Sequence, residues 1–209
     1  MLEITFSDSE SLRDGARFSG AYARGSAARR AKVDQLRAEK PRRLSLAAGL
    51  LLADTLAGLG VAGAMAEDAE DENGKPYLPR CPELFFSLSH SGTLAMCAAA
   101  DRSVGCDIQT VTPRSLRIAE RFFTAAEQER IFSQATEDAR LDMFYRIWTL
   151  KESFVKCIGL GLALPLDSFT VYPEDNGEIV LAQDADPGAF RLTEPEAPEG
   201  YRCAVCVRK

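Results

Sequence analysis

The 209-residue chain has no run of 18 uninterrupted apolar residues, roughly the length a helix needs to cross a bilayer. Its opening, MLEITFSDSE, carries acids where a secretory leader carries a basic start and a long apolar stretch. A cytoplasmic protein with no membrane partner is therefore expected. There is no positive excess: 25 Lys and Arg face 31 Asp and Glu, and the net charge of -6 argues against general nucleic-acid binding. Histidine is nearly absent. His90 stands alone, and one imidazole without a triad does not make a catalytic centre by itself. No sequence repeat is visible in the letters. The six cysteines, at 81, 97, 106, 157, 203 and 206, form no dense framework and sit mostly in apolar stretches. Cys203 and Cys206 have CxxC spacing but no second pair or nearby histidine, so they are read as small buried hydrophobes and not as a zinc or redox site.

What is present is a chain that can build a core, with 46% hydrophobic residues over a length suited to one large domain or two small lobes. LEITF alternates apolar and polar residues and predicts a strand, followed by a loop rich in Ser, Asp and Gly. Residues 27 to 39 are polar, basic and helical in pattern, and 43 to 60 predict a buried helix closing on Gly58 and Gly60. An acidic loop, EDAEDE, and the turn NGKP come next. From 84 to 109, LFFSLSH, TLAMCAAA and SVGCDIQ predict three adjacent strands of one antiparallel sheet. Short helices are expected at 114 to 122 and 124 to 134, the second with Thr124 and Glu127 at capping-box spacing. A long helix is expected over 137 to 159, then strands from 168 to 207. This order gives an α+β fold with lobes meeting near residues 105 to 112.

Several residue groups invite chemistry. Between residues 24 and 43, Arg24, Arg29, Arg30, Lys32, Arg37, Lys40, Arg42 and Arg43 face only Asp34 and Glu39; eight cations less two acids leaves six. Such a run is either a solvated helix face or a polyanion site. His90, between two serines at a strand end, is either structural or a ligand group. Asp107 and Gln109 alternate along one strand and so share a face, where Asp107 serves as a salt-bridge partner or a metal ligand. Glu152 on the long helix can pair with Lys156 at i+4 or act in a site. Carboxylates with waters and phosphates are the ligands Mg²⁺ prefers.

In order and spacing, NGKP, FSLSHSG, GCDIQ, RFFTAAE and WTLKESFVKCIGLGL resemble the 4′-phosphopantetheinyl transferases of the surfactin-synthetase-activating type. The resemblance runs from about residue 74 to 173 and more faintly to both ends. It implies a pseudo-dimeric monomer of two similar α/β lobes, 1–105 and 106–209, with coenzyme A in the cleft between them. It implies transfer of phosphopantetheine from coenzyme A to a serine of an apo acyl or peptidyl carrier protein, releasing adenosine 3′,5′-bisphosphate. The carriers would belong to fatty-acid, polyketide or nonribosomal-peptide synthesis. In this reading Asp107, Gln109 and Glu152 surround Mg²⁺, and Lys156 contacts the pyrophosphate and helps protonate the leaving group. His90 and Ser89 bind phosphate oxygens, Lys75 the nucleotide end, and Arg43 with Arg29 and Lys32 the 3′-phosphate. Glu152 is the candidate base, with Glu127 as the other acidic candidate or simply a helix cap. The carrier is expected against an exposed apolar surface around residues 112 to 124, the alternative being that this amphipathic segment packs into the core. Competing readings are a non-catalytic coenzyme A or carrier-binding module and a metal-dependent pyrophosphate hydrolase.

Many relatives have Glu where this chain has Gln109, which removes one negative charge from the expected metal site. Gln109→Glu is therefore predicted to tighten Mg²⁺ binding without abolishing activity. A magnesium titration of the rate checks this, and unchanged magnesium dependence would place Gln109 away from the metal.

Overall fold

The computed structural model describes residues 1–113 and 116–209, the side chains of Ala64 and Leu162 excepted. The chain opens with β1 (Leu2–Asp8) and a 3-10 turn, then forms α1 (Gly15–Arg24), α2 (Ala27–Gln35) and α3 (Glu39–Gly58). A hairpin of β2 (Ala69–Glu70) and β3 (Pro76–Tyr77) follows, then β4 (Phe85–Ser91), β5 (Leu94–Ala100) and β6 (Val104–Thr110). After α4 (Arg117–Phe122), α5 (Ala125–Phe132) and α6 (Glu137–Ile158) come β7 (Thr170–Pro173), β8 (Ile179–Ala182), β9 (Phe190–Thr193) and β10 (Tyr201–Arg208). The fold is α+β, as expected.

Local chemistry sets the boundaries. The stretch after β1 was expected to be loop, but Asp14 accepts the amide of Arg17 and starts α1, whose Phe18 and Tyr22 rings stack. Ser26 caps α2 in the same way through the amide of Arg29. At Thr124 the capping box forms in full. Gly159, at φ 78°, ends α6 in the left-handed conformation glycine tolerates. The expected helix at 114 to 122 starts outside the described residues; its described part is α4.

Two three-stranded antiparallel sheets form the body, in the orders β1-β5-β4 and β6-β10-β9. This corrects the expectation of one sheet from 84 to 109: β6 pairs along its length with β10, Asp107 opposite Ala204. Every residue of β5 is buried, because each of its faces has a cover. Ala95, Cys97 and Ala99 pack with Leu51, Leu52 and Leu56 of α3. Leu94, Met96 and Ala98 pack with Cys106, Ile108 and Val205 of the second sheet. On the far side, Leu150, Phe154 and Cys157 of α6 pack with Ala204 and Cys206 of β10. The layers thus run α3, first sheet, second sheet, α6.

The sheets also meet edge to edge, at β4 and β6, without a backbone ladder between those strands. Instead the hydroxyls of Ser87, Ser89 and Ser91 accept the amides of Cys106, Ile108 and Thr110 at 3.0, 3.3 and 3.0 Å. Alternation along β4 puts the three serines on one side, which is what the SLSHS spelling encodes. All six cysteines are free and buried. Opposite the seam, Gly105 lets α6 approach closely: a Cβ there would lie 2.1 Å from Ser153 O and 2.3 Å from Cys157 N. Gly105→Ala should therefore force α6 off β6 and cost about 3 kcal/mol or more. Urea unfolding measures the cost, and a loss below about 1 kcal/mol would show that the helix can shift freely.

Candidate active site

Alternation along β6 turns Cys106 and Ile108 into the inter-sheet core and Asp107 and Gln109 toward α6. Asp107 is 2% exposed, so its charge needs partners. Its Oδ1 accepts the ammonium of Lys156 at 2.6 Å and the hydroxyl of Ser89 at 2.7 Å, and its Oδ2 accepts the amide of Gln109 at 3.1 Å. Lys156 also donates to Cys106 O at 3.1 Å. Burial is the largest single influence on the Lys156 ammonium and works against it, but the charge and hydrogen bond of Asp107, with Cys106 and the charge of Glu152, together outweigh it and hold the pKa above the usual lysine value. The i+4 pair of Glu152 with Lys156 is not formed as a contact ion pair among the described residues; Lys156 turns to Asp107 instead.

Glu152 lies one turn back along α6, half-buried at the same cavity. Burial, followed by the charge of Asp107, pushes its carboxyl above the ordinary range, while Lys156 pulls the other way. His90, next to Ser89 on β4, projects to the opposite side of the strand and lines the cavity. Its imidazole keeps much of its surface open to solvent, yet desolvation, with the nearby charges of Lys156 and Arg29, outweighs a backbone hydrogen bond and the pull of Asp107 and holds it below the ordinary histidine pKa. It is thus neutral at pH 7 and gains a proton most easily when an anion arrives.

The cavity is about 500 Å³ and joins two poles. Asp107, Glu152 and Lys156 form one; Arg29, Lys32 and His90 form the other, with Asp68, Glu70 and Trp148 on the wall. Arg29 reaches it by crossing α3 at Gly49, where a Cβ would lie 2.3 Å from its Nε. A side chain at position 49 would displace the crossing Arg29 side chain. Burial lowers the Arg29 pKa, and among the described residues its guanidinium donates to the main chain and hydroxyl of Ser45, at 3.3 and 3.5 Å.

Asp107, Gln109, Glu152, Lys156, Ser89 and His90 are thus brought together with Arg29 and Lys32. Arg43 is not. It lines a separate cavity of about 300 Å³ with Arg13, Phe18 and Arg42, and pairs with Glu39 at 3.4 Å. Ala48, which does face the large cavity, is five residues on and about 140° around the helix. Lys75 lines a neighbouring cavity of about 220 Å³, and its buried ammonium donates to Cys157 O at 2.7 Å and Ser103 Oγ at 3.2 Å. Ser89 already has both hydroxyl roles filled, donating to Asp107 and accepting from Ile108. Glu127 is fully buried away from this cavity. It caps α5, accepts the amide of Val171 at 2.7 Å and pairs with Lys151 at 2.6 Å; burial pushes its carboxyl up and the Lys151 ammonium down. Lys151 further donates to Leu166 O and Phe169 O at 2.6 and 2.7 Å, so the residue before Glu152 is an internal anchor. Reading KES by charge alone hides that split.

In the expected carrier segment, Ala119 and Phe123 are buried in the core with Phe144 and Tyr145, whereas Phe122 is 37% exposed. Residues 114 and 115 of it lie outside the described residues. Among the described residues no helix is long and apolar enough to cross a membrane, and no group of three or more His, Cys, Asp or Glu is placed to hold a metal ion.

Residues 103–206, which carry Asp107, Glu152 and Lys156, match the family model of the 4'-phosphopantetheinyl transferase superfamily. The chain belongs to that superfamily. A 4'-phosphopantetheinyl transferase of Bacillus subtilis is 40% identical over 137 residues, 65% of this chain and 60% of that protein. The 4'-phosphopantetheinyl transferase Sfp of Bacillus subtilis strain 168 is 38% identical over 136 residues, with the same coverage. The match thus spans less than two thirds of these relatives. Among solved structures, the holo-[acyl-carrier-protein] synthase of Thermotoga maritima aligns over 51% of this chain and 62% of its own, at 23% identity and a TM-score of 0.44. Within this superfamily member the matched segment spans both β6 and α6, the two elements that hold the acidic pole.

A carboxyl held above its ordinary range binds its proton more tightly in the folded than the unfolded chain, so its ionisation destabilises the fold. Stability from Glu152 rises as pH falls through the raised value and is lost above it. Glu152→Gln is expected to be about 0.5–2 kcal/mol more stable than the parent at pH 7, with the gap closing on acidification. Urea unfolding at neutral and acid pH checks this; a less stable variant at pH 7 would contradict the burial of an ionised carboxylate.

Proposed function

We propose that this chain transfers the 4′-phosphopantetheine arm of coenzyme A to a serine of an apo acyl or peptidyl carrier protein, leaving adenosine 3′,5′-bisphosphate. The observation that carries this reading is the single cavity in which Asp107, Glu152 and Lys156 face Arg29, Lys32 and His90. A basic pole suits the phosphates of a nucleotide, and an acidic pole suits an oxygen-seeking cation and a base. The two curated relatives are named for the same activity.

In this reading Arg29 and Lys32 bind the 3′-phosphate in place of Arg43, and His90 takes a phosphate oxygen, its proton affinity rising as the anion enters. Lys156, held as an ammonium, contacts the pyrophosphate. A group so firmly protonated stabilises charge on the leaving phosphate better than it gives up a proton. Glu152 accepts the proton of the carrier serine, its raised pKa making it a stronger base than an exposed carboxylate. Asp107 and Glu152, with Gln109 beside them, are oxygen donors of the kind Mg²⁺ takes when phosphates and water complete its shell. When bound there, the ion would neutralise charge growing on the pyrophosphate. Residues 1–105 and 106–209 are taken as two lobes joined at the serine seam, acting as a monomer in the cytoplasm.

Incubating an apo carrier protein with coenzyme A, Mg²⁺ and the chain should add the phosphopantetheine mass to the carrier, read by mass spectrometry. Glu152→Gln should slow that gain about 100-fold or more. No mass gain with acyl and peptidyl carriers alike would overturn the assignment, and cleavage of coenzyme A without transfer would favour a hydrolase.

A further inference from the structure

The β2–β3 hairpin lines the cavity through Glu70 and Pro76 and makes two lysine contacts beside its turn. Its turn is rigid: Asp71 Oδ1 accepts the amides of Asn73 and Lys75 at 2.9 and 2.8 Å, and Gly74 takes φ 79°. One contact is part-buried, where Lys75 reaches Cys157 O at the end of α6. The other is exposed. Glu70 Oε1 accepts the ammonium of Lys32 on α2 at 2.8 Å, with the two side chains 55% and 52% exposed. Beside it Arg29, half-buried at the same pole, has no carboxylate bound to it among the described residues. Asp68, on the same wall, is near enough for its charge to favour the Arg29 cation.

We infer that Glu70 is an intramolecular stand-in for the substrate's 3′-phosphate: it holds Lys32 at the cavity wall when no nucleotide is bound, and the phosphate must displace it. The inference rests on the coenzyme A reading above and adds a residue that sets how strongly that phosphate is felt. The two ties differ in the right way. An exposed ion pair is worth at most about 1 kcal/mol, weak enough to release, while the part-buried Lys75 contact keeps the hairpin attached when the Glu70 side chain lets go. Lys32 then exchanges one carboxylate for a phosphate of higher charge, with Arg29 already waiting.

Titration calorimetry of adenosine 3′,5′-bisphosphate and of adenosine 5′-monophosphate against the full chain tests this. Glu70→Gln should bind the bisphosphate about three- to five-fold tighter, the span of an exposed ion pair, and leave the monophosphate unchanged. The gain should shrink in about 0.5 M salt and vanish when Lys32→Gln is also present. A parent that binds the bisphosphate but shows no gain with Glu70→Gln, an equal gain for the monophosphate, or a gain that persists with Lys32→Gln overturns the stand-in role alone. A parent that binds neither nucleotide overturns the coenzyme A reading and the stand-in with it.

Discussion

Three serine hydroxyls on β4 carry the amides of β6, and the rest of the structure depends on that seam. Two sheet edges that met without it would leave three buried donors unpaired, each costing about 1–3 kcal/mol. A backbone ladder would satisfy the same donors but would fuse the sheets into one. The side-chain bridge keeps them as separate three-stranded sheets, each covered by its own long helix. Ser89 does two things at once, accepting from Ile108 and donating to Asp107. The residue that joins the halves also orients the central carboxylate of the cavity.

The cavity is electrostatically divided, and its charges are held by different means. Asp107 is nearly enclosed and takes three donors, so it is fixed before any ligand arrives. Glu152 has the pull of Lys156 set against burial and the charge of Asp107, which leaves it the group most ready to change protonation state. Two residues apart on the sequence from Gln109, and one from Lys151, these acids differ because their neighbours differ. The pair of Glu127 and Lys151 is fully enclosed, fastening α5, β7 and α6 together behind the cavity. Breaking such a pair strands a buried charge, so its weight falls on architecture, while the exposed pair of Lys32 and Glu70 is free to exchange.

Much of this was legible in the letters. Strand alternation put Asp107 and Gln109 on one face, helical spacing put Glu152 and Lys156 on another, and capping chemistry located α5. The limits were equally physical. β6 reads as the third strand of a meander because hydrophobic alternation reports burial on a face and says nothing of which strand supplies the ladder. Ser89 reads as a phosphate donor because its hydroxyl's partners come from Asp107 and Ile108, eighteen and nineteen residues away. Arg43 and Arg29 look alike in a basic run, yet only Arg29 crosses at Gly49 into the large cavity. Segment 112 to 124 reads as an apolar surface, but its Ala119 and Phe123 are drawn into the core around Phe144.

The sequence alone determined the α+β class, through periodicity and residue type along the chain, and its ordered motifs carried the resemblance to the family and with it the candidate acids and lysines. Only the tertiary structure decided which of them meet. Which carboxylate holds Lys156, which arginine reaches the cavity, and whether Glu127 caps or catalyses depend on the packing of α6 against Gly105 and on the serine seam. Those contacts join residues far apart in the chain, and no local pattern encodes their distances.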